Sequence, residues 1–307
     1  MTLLVQLYSA YSISYCCSLF GRSRQAYYEQ KDNDRDKGFE DALVLKLVAE
    51  IRRDLPRCGT DKLHFMLQEA FSTHGIKLGR DGLYRLLGRY GLLVRQRKRK
   101  PYTTDSNHHY RRYPNLIRNK TLNRAGQLWV SDITYIRTAK GFCYLSIITD
   151  AYSHKIVGYK LHPTLKAEGA IDALIMAAAD VKRTSELIHH SDRGIQYCCS
   201  DYVQMAEHYG IQLSMTENGD PYENAIAERI NGILKQEHGL YETFSGKEAA
   251  AKAVDEAVSK YNEMRIHDSC GRLTPVVAHE QYGSFRKYWQ PKKYNSRRQH
   301  QEQKARP

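Results

Sequence analysis

Between residues 43 and 87 the apolar positions recur at helical spacing, and from residue 127 they switch to the alternating and continuous runs of strands. Leu43, Leu47, Val48 and Ile51 share one face of a helix that Pro56 closes. Thr60 caps a second helix carrying Leu63, Leu67 and Ala70, which Gly75 breaks. A third, over residues 80–90, places Leu83, Leu86 and Leu87 on one side, and the succession predicts a small all-α helix-turn-helix domain over 38–94. Upstream, residues 14–20, Gly21 and residues 23–30 read as helix, turn and helix with Ser23 as N-cap, within an N-terminal helical segment 1–37. That hairpin fits a DNA-binding unit and a merely packed pair of helices equally.

The second domain, 126–285, opens with three strands, 127–137, 142–150 and 155–161, joined by short turns. An Ala-rich helix (167–180), a strand (187–190), a helix (200–209) and a strand (211–215) follow, then two long helices, the last over 246–265. Three antiparallel strands followed by alternating helices and strands is the order of an α/β ribonuclease H-like fold, a mixed five-stranded sheet flanked by helices. The two domains are joined by a basic arm and linker, 95–125. Arg95, Arg97, Lys98, Arg99 and Lys100 are too charged to pack and read as an arm along a phosphate backbone, and 101–124, with Pro101 and Pro114, read as linker.

Charge sharpens this division. Residues 1–124 carry 24 Lys+Arg against 12 Asp+Glu, residues 125–285 carry 15 against 21, and the basic tail, 286–307, carries 8 against 1. Basic segments around an acidic middle suit a chain that grips a polyanion and holds metal between. The seven cysteines show no CxxC pairing and no zinc spacing with histidine, so they read as reduced thiols. No run is long enough to span a membrane and the apolar start lacks a cleavage site, so the expected location is the cytoplasm.

Three acidic residues carry the chemistry: Asp132 in the first strand, Asp192 just past the fourth, and Glu228 on an amphipathic helix, with thirty-five residues between the last two. The fold order brings them together at one end of the sheet, and carboxylates so placed suit hard divalent cations acting on a phosphodiester. Asn224, Glu228, Asn231 and Lys235 stand at offsets of −4, 0, +3 and +7, hence on one helix face. Lys235, Asn224 and Asn231 are candidate DNA contacts there, the two amides fitting a packing role equally. Arg80, Arg85 and Arg89 are phosphate-contact candidates in the helix-turn-helix. His190 and Ser191 are expected to hold the Asp192 carboxylate in place, and Asp150 reads as a strand-end residue.

The strings WVSDITYI, YLSIITDAYSHKIVGY, LIHHSDRGIQY, GDPYENAIAERINGILKQE and YNEMRIHDSCGRLTP, in this order, resemble the retroviral-integrase-like core of OrfB-type transposases of bacterial insertion sequences. The resemblance runs from about residue 127 to 282, with a weaker one to the family's helix-turn-helix over 42–94. One departure is Glu223-Asn224-Ala225, where the family usually has Asp-Asn-Ala. The resemblance implies a DDE transposase, with Asp132, Asp192 and Glu228 as catalytic and metal-binding residues for two Mg²⁺ ions, Mn²⁺ able to substitute. It also implies a basic residue at Lys235 for phosphate and copy-out, paste-in DNA transposition and integration. The implied partners are double-stranded DNA at the element's terminal repeats and at the target, further copies of the chain assembled on that DNA, and an upstream-frame protein or its frameshift fusion. Two other classes use the same residues: a ribonuclease H-like nuclease or resolvase that only hydrolyses, and a DNA-binding regulator that kept an inactive fold.

Overall fold

The computed structural model describes residues 11–94, 110–118, 120–179, 186–217, 224–286 and 288, and the chain forms two compact units, 1–96 and 97–307. In the first unit, α1 (Ile13–Leu19) leads into α2 (Arg24–Asp54), followed by α3 (Thr60–Met66), α4 (Gln68–Thr73) and α5 (Arg80–Arg89). The two helices read at 23–30 and around 43–51 are one continuous helix of 31 residues. The polar run at 31–37 offers no apolar period, yet it holds neither proline nor a β-branched residue to stop a helix. Val44, Val48 and Leu55 pack on Leu63, Leu67, Phe71, Leu83, Leu86 and Leu87, closing the core of α2 to α5. Gly59, not Thr60, is the N-cap of α3. The expected second helix is two short ones meeting at Leu67.

The second unit is built on β1 (Leu128–Thr138), β2 (Gly141–Asp150), β3 (Ile156–His162), β4 (Ile188–Ser191), β5 (Gln212–Met215) and β6 (Thr243–Phe244). The sheet runs β3-β2-β1-β4-β5, with β1, β2 and β3 antiparallel and β4 and β5 parallel to β1. A sixth strand, not foreseen, is the two-residue β6 alongside Arg137 and Thr138. A strand so short carries no periodic pattern, and only its pairing reveals it.

Helices cover both faces. On one, Ile136, Leu145 and Ile147 pack against Ile230, Ile233 and Leu234 of α9 (Ala225–Glu237) and Val254, Val258 and Tyr261 of α10 (Lys247–Glu263). On the other, Trp129 and Ile148 pack against Ala173, Leu174 and Ala177 of α6 (Glu168–Ala178) and Tyr202 and Ala206 of α8 (Ser200–His208), which the short α7 (Ile195–Cys198) precedes. This is the ribonuclease H-like arrangement, a mixed sheet between helical layers. The chain ends its described course past α11 (Pro275–His279).

The stretch expected to be linker joins this unit. Tyr110 and Tyr113 pack on the α6/α8 face, and the Leu116 amide donates to Ser214 Oγ of β5 at 2.9 Å. Asp150, fully buried, accepts from the Gly126, Tyr152 and Ser153 amides and from Ser153 Oγ, at 2.8 to 3.1 Å. It closes the β2–β3 turn. No helix among the described residues is long and apolar enough to cross a membrane.

Candidate active site

Strand register sets two of the acids side by side. In the parallel β1–β4 ladder Val130 stands opposite His190, so two residues further along each strand Asp132 and Asp192 come level at the C-terminal end of β4. Both carboxyls are pushed up. Asp132 rises to about 7, chiefly by burial, then by the charge of Asp192 and, more weakly, of Glu228. Burial raises Asp192, and one of its oxygens accepts from the Gly194 amide at 3.0 Å, which pulls the other way. A Cβ on Gly194 would stand 2.9 Å from that oxygen, so the turn after β4 admits only glycine without displacing the carboxylate.

Helix α9 is held across β1 by two amides. Asn224 Nδ2 donates to the Ser131 carbonyl at 3.0 Å, and Asn231 Nδ2 donates to Asp132 Oδ2 at 2.7 Å. Glu228 lies between them on the same face. Lys235, one turn beyond Asn231, is half-buried; burial lowers its ammonium from the usual value while the Asp132 charge raises it. The face read from sequence is thus the face turned to the acids. Asn224 and Asn231, for which DNA contact and packing stood as equal readings, are buried and engaged with β1.

The expected roles of His190 and Ser191 differ. His190 Nδ1 faces Ser214 Oγ at 2.9 Å, tying β4 to β5, and Ser191 Oγ donates to the backbone carbonyl of Asp192 at 2.9 Å. Neither of these hydrogen bonds reaches the Asp192 carboxylate: one runs to the neighbouring strand and the other to the backbone. Sequence reasoning missed Tyr197. Its hydroxyl is fully buried, and burial together with the charges of Asp192 and Asp132 pushes it well above the usual phenol range. Its ring meets Tyr202 edge-on at 5.4 Å, and Tyr202 Oη faces His189 Nε2 at 3.3 Å.

In the first unit Arg80 pairs with the adjacent Asp81 at 2.9 Å and Arg89 with Asp41 at 2.8 Å, while Arg85 has an exposed side chain on α5. Arg95, Arg97, Lys98, Arg99 and Lys100 lie outside the described residues.

An integrase core domain family matches residues 123–221, and a second integrase core domain family matches 209–275. The insertion element IS600 uncharacterized 31 kDa protein of Shigella sonnei is 35% identical over 272 residues, covering 87% of this chain and 98% of that protein. The transposase for insertion sequence element IS629, also of Shigella sonnei, is 32% identical over 208 residues, covering 68% of this chain and 70% of that one. The HTLV-2 integrase catalytic core domain in complex with magnesium superposes with a TM-score of 0.42 and 17% identity, over 51% of this chain and 98% of that one. With relatives of this length and identity, and integrase core domain families matched across residues 123–275, the chain belongs to the OrfB-type insertion-sequence transposases, polynucleotidyl transferases with an integrase core domain.

Proposed function

We propose that this transposase cuts and rejoins DNA at the ends of its insertion sequence in a Mg²⁺-dependent reaction, with Asp132, Asp192 and Glu228 as the catalytic acids. The observation that carries the reading is the charge that Asp192 and Glu228 place on the buried Asp132. Asp132 is driven up to about 7 by burial and by two like charges, an arrangement that a cation relieves. The donors are hard oxygens, which suit Mg²⁺ and Mn²⁺. Among the described residues no three of His, Cys, Asp and Glu come close enough to ring one ion. A hard cation needs only one or two carboxylates when substrate phosphate completes its shell. Asp132, Asp192 and Glu228 would hold the ions together with the substrate phosphate. Bound there, the ions would neutralise charge at the attacking and departing oxygens of the phosphodiester.

The chain's own residues do the rest. Asn231 fixes the rotamer of Asp132, and Gly194 that of Asp192, so the two carboxylates are held before substrate arrives. Lys235 stands where a phosphate of the bound end would meet its ammonium. In the first displacement a water oxygen bonds to phosphorus and the bond to the 3′-oxygen breaks, freeing a 3′-hydroxyl. In the second, that hydroxyl bonds to a new phosphorus and another 3′-oxygen leaves, so no covalent link to protein is required. The partners follow: double-stranded DNA of the element ends and the target, further copies of the chain on that DNA, and the upstream-frame protein or its fusion to this chain.

The test uses the purified full chain, Mg²⁺ and duplexes copied from the DNA on either side of the gene, one set precut to expose a terminal 3′-hydroxyl. Joined products from precut ends, absent without Mg²⁺ and absent with Asp132→Asn, support the proposal. Hydrolysis without joining would make the chain a nuclease, and binding without either reaction a regulator.

A further inference from the structure

We infer that Arg265 is a positioning residue for the proposed reaction: through its ion pair with Glu237 it fixes the roll of α9, and with it the places of Glu228 and Lys235 beside Asp132. The inference rests on the three acids acting as proposed. The Arg265 side chain is only 3% exposed, and its guanidinium holds Glu237 with two hydrogen bonds, Nε to Oε2 at 2.7 Å and Nη2 to Oε1 at 2.8 Å. Glu237 is the last residue of α9, nine positions after Glu228. At 3.6 residues per turn it points about 180° away from Glu228, whereas Asn231 and Lys235 stay on the Glu228 side. The helix is thus gripped from both sides, by the bond from Asn231 to Asp132 on one and by Arg265 on the other.

Arg265 is itself held in place. Its amide donates to the Lys260 carbonyl of α10 at 3.2 Å, and its Nη1 donates to the Ile266 carbonyl at 3.3 Å and to His267 Nε2 at 3.0 Å. Asn262, in the last turn of α10, exchanges two hydrogen bonds with the Ile156 backbone: Oδ1 accepts from the amide at 2.9 Å and Nδ2 donates to the carbonyl at 3.0 Å. A series of bonds therefore runs from β3 through the end of α10 and Arg265 to the end of α9, which Asn231 ties to Asp132 on β1. Stability alone does not call for this pair. A carboxylate at the last residue of a helix meets the negative end of the macrodipole, and a buried ion pair commonly holds a fold no better than apolar side chains of similar volume. What the pair adds is direction. The apolar contacts of Ile230, Ile233 and Leu234 are non-directional, whereas two parallel N–H···O bonds are lost together when the helix rolls.

The experiment compares the full chain as wild type, Arg265→Lys, Glu237→Gln and, as a destabilised control in the opposite helical layer, Leu174→Ala. Lysine keeps the charge but makes a point contact, and glutamine keeps the shape but turns a donor toward a donor. Melting in EDTA reads stability, isothermal titration with Mn²⁺ in the absence of DNA reads the placement of the acids, and kcat and KM for Mg²⁺-dependent nicking are taken at one temperature at which every variant is folded. Both pair variants are expected to bind Mn²⁺ about ten-fold more weakly and to lose about ten- to a hundred-fold in kcat, with a smaller change in KM. Leu174→Ala is expected to melt lower yet keep the wild-type Mn²⁺ affinity and kcat. Pair variants that match wild type in Mn²⁺ affinity and kcat overturn the inference and leave Arg265 a stability element, whatever their melting temperature. Equal losses in Leu174→Ala overturn it as well, because they would follow from stability alone. If Arg265→Lys does not fold, Glu237→Gln decides, since that side chain is partly exposed. A wild type that binds Mn²⁺ but neither nicks nor joins DNA removes the proposed reaction, and the Mn²⁺ comparison then decides the inference by itself.

Discussion

Asn231 and Asp132 stand 99 positions apart in sequence, and the amide of one donates to the carboxylate of the other at 2.7 Å. The bond fixes α9 to β1 at Asp132. Replacing Asn231 with Ala should raise the Mg²⁺ concentration needed for half-maximal nicking by about ten- to a hundred-fold, the usual cost of losing a partner that orients a metal ligand. DNA affinity without metal should stay unchanged. A Mg²⁺ requirement equal to wild type, with weakened DNA binding, would return Asn231 to the role of a DNA contact.

The acids themselves give a sharper contrast. Asp132→Asn, Asp192→Asn and Glu228→Gln each remove a charge with little change in volume, so cleavage and joining should vanish while DNA binding persists. Asp150→Asn should behave otherwise. Its carboxylate accepts four hydrogen bonds inside the protein, and an amide would turn a donor toward a donor, costing about 3 kcal/mol. Thermal melting separates the cases: a wild-type melting temperature for Asp150→Asn contradicts its place at the β2–β3 turn.

The raised Asp132 carboxyl makes stability depend on pH. Its folded value of about 7 exceeds the ordinary 3.8, so between those values the folded chain holds the proton more tightly than the unfolded one, and stability falls as pH rises through that window. The interval sets a ceiling of about 4 kcal/mol, and a partly exposed carboxylate should show about 1 to 2. Asp132→Asn should therefore match wild type at pH 4 and melt a few degrees higher at pH 8 in EDTA. Asn231 can rotate to present its buried, unpartnered Oδ1 to the new amide. A variant that melts below wild type at pH 8 would show that the buried charge of Asp132 is not a net cost to the fold.

Neutralising Arg95, Arg97, Lys98, Arg99 and Lys100 together should weaken binding to all duplexes alike. The slope of log affinity against log salt should flatten by about 0.9 for each phosphate that the arm no longer neutralises. An unchanged slope would mean that the run does not touch DNA.

Local periodicity makes much of this protein legible from its residues. The switch from helical to strand spacing near residue 126 marks the start of the sheet, although the second unit begins at 97, and the strand and helix order yields the α/β topology. A helix repeats every 3.6 residues, so Asn224, Glu228, Asn231 and Lys235 had to share a face whatever that face met. What it met depended on packing between distant segments. Pairing of β1 with β4 levels Asp132 with Asp192, the Gly194 amide donates to the Asp192 carboxylate, and the buried Tyr197 feels the charge of both. No pattern of nearby residues encodes a bond across 99 positions, the strand β6, or the continuity of α2 through a polar run. Such features depend on which surfaces are buried together, and burial belongs to the assembled fold, where distant segments exclude water from one another.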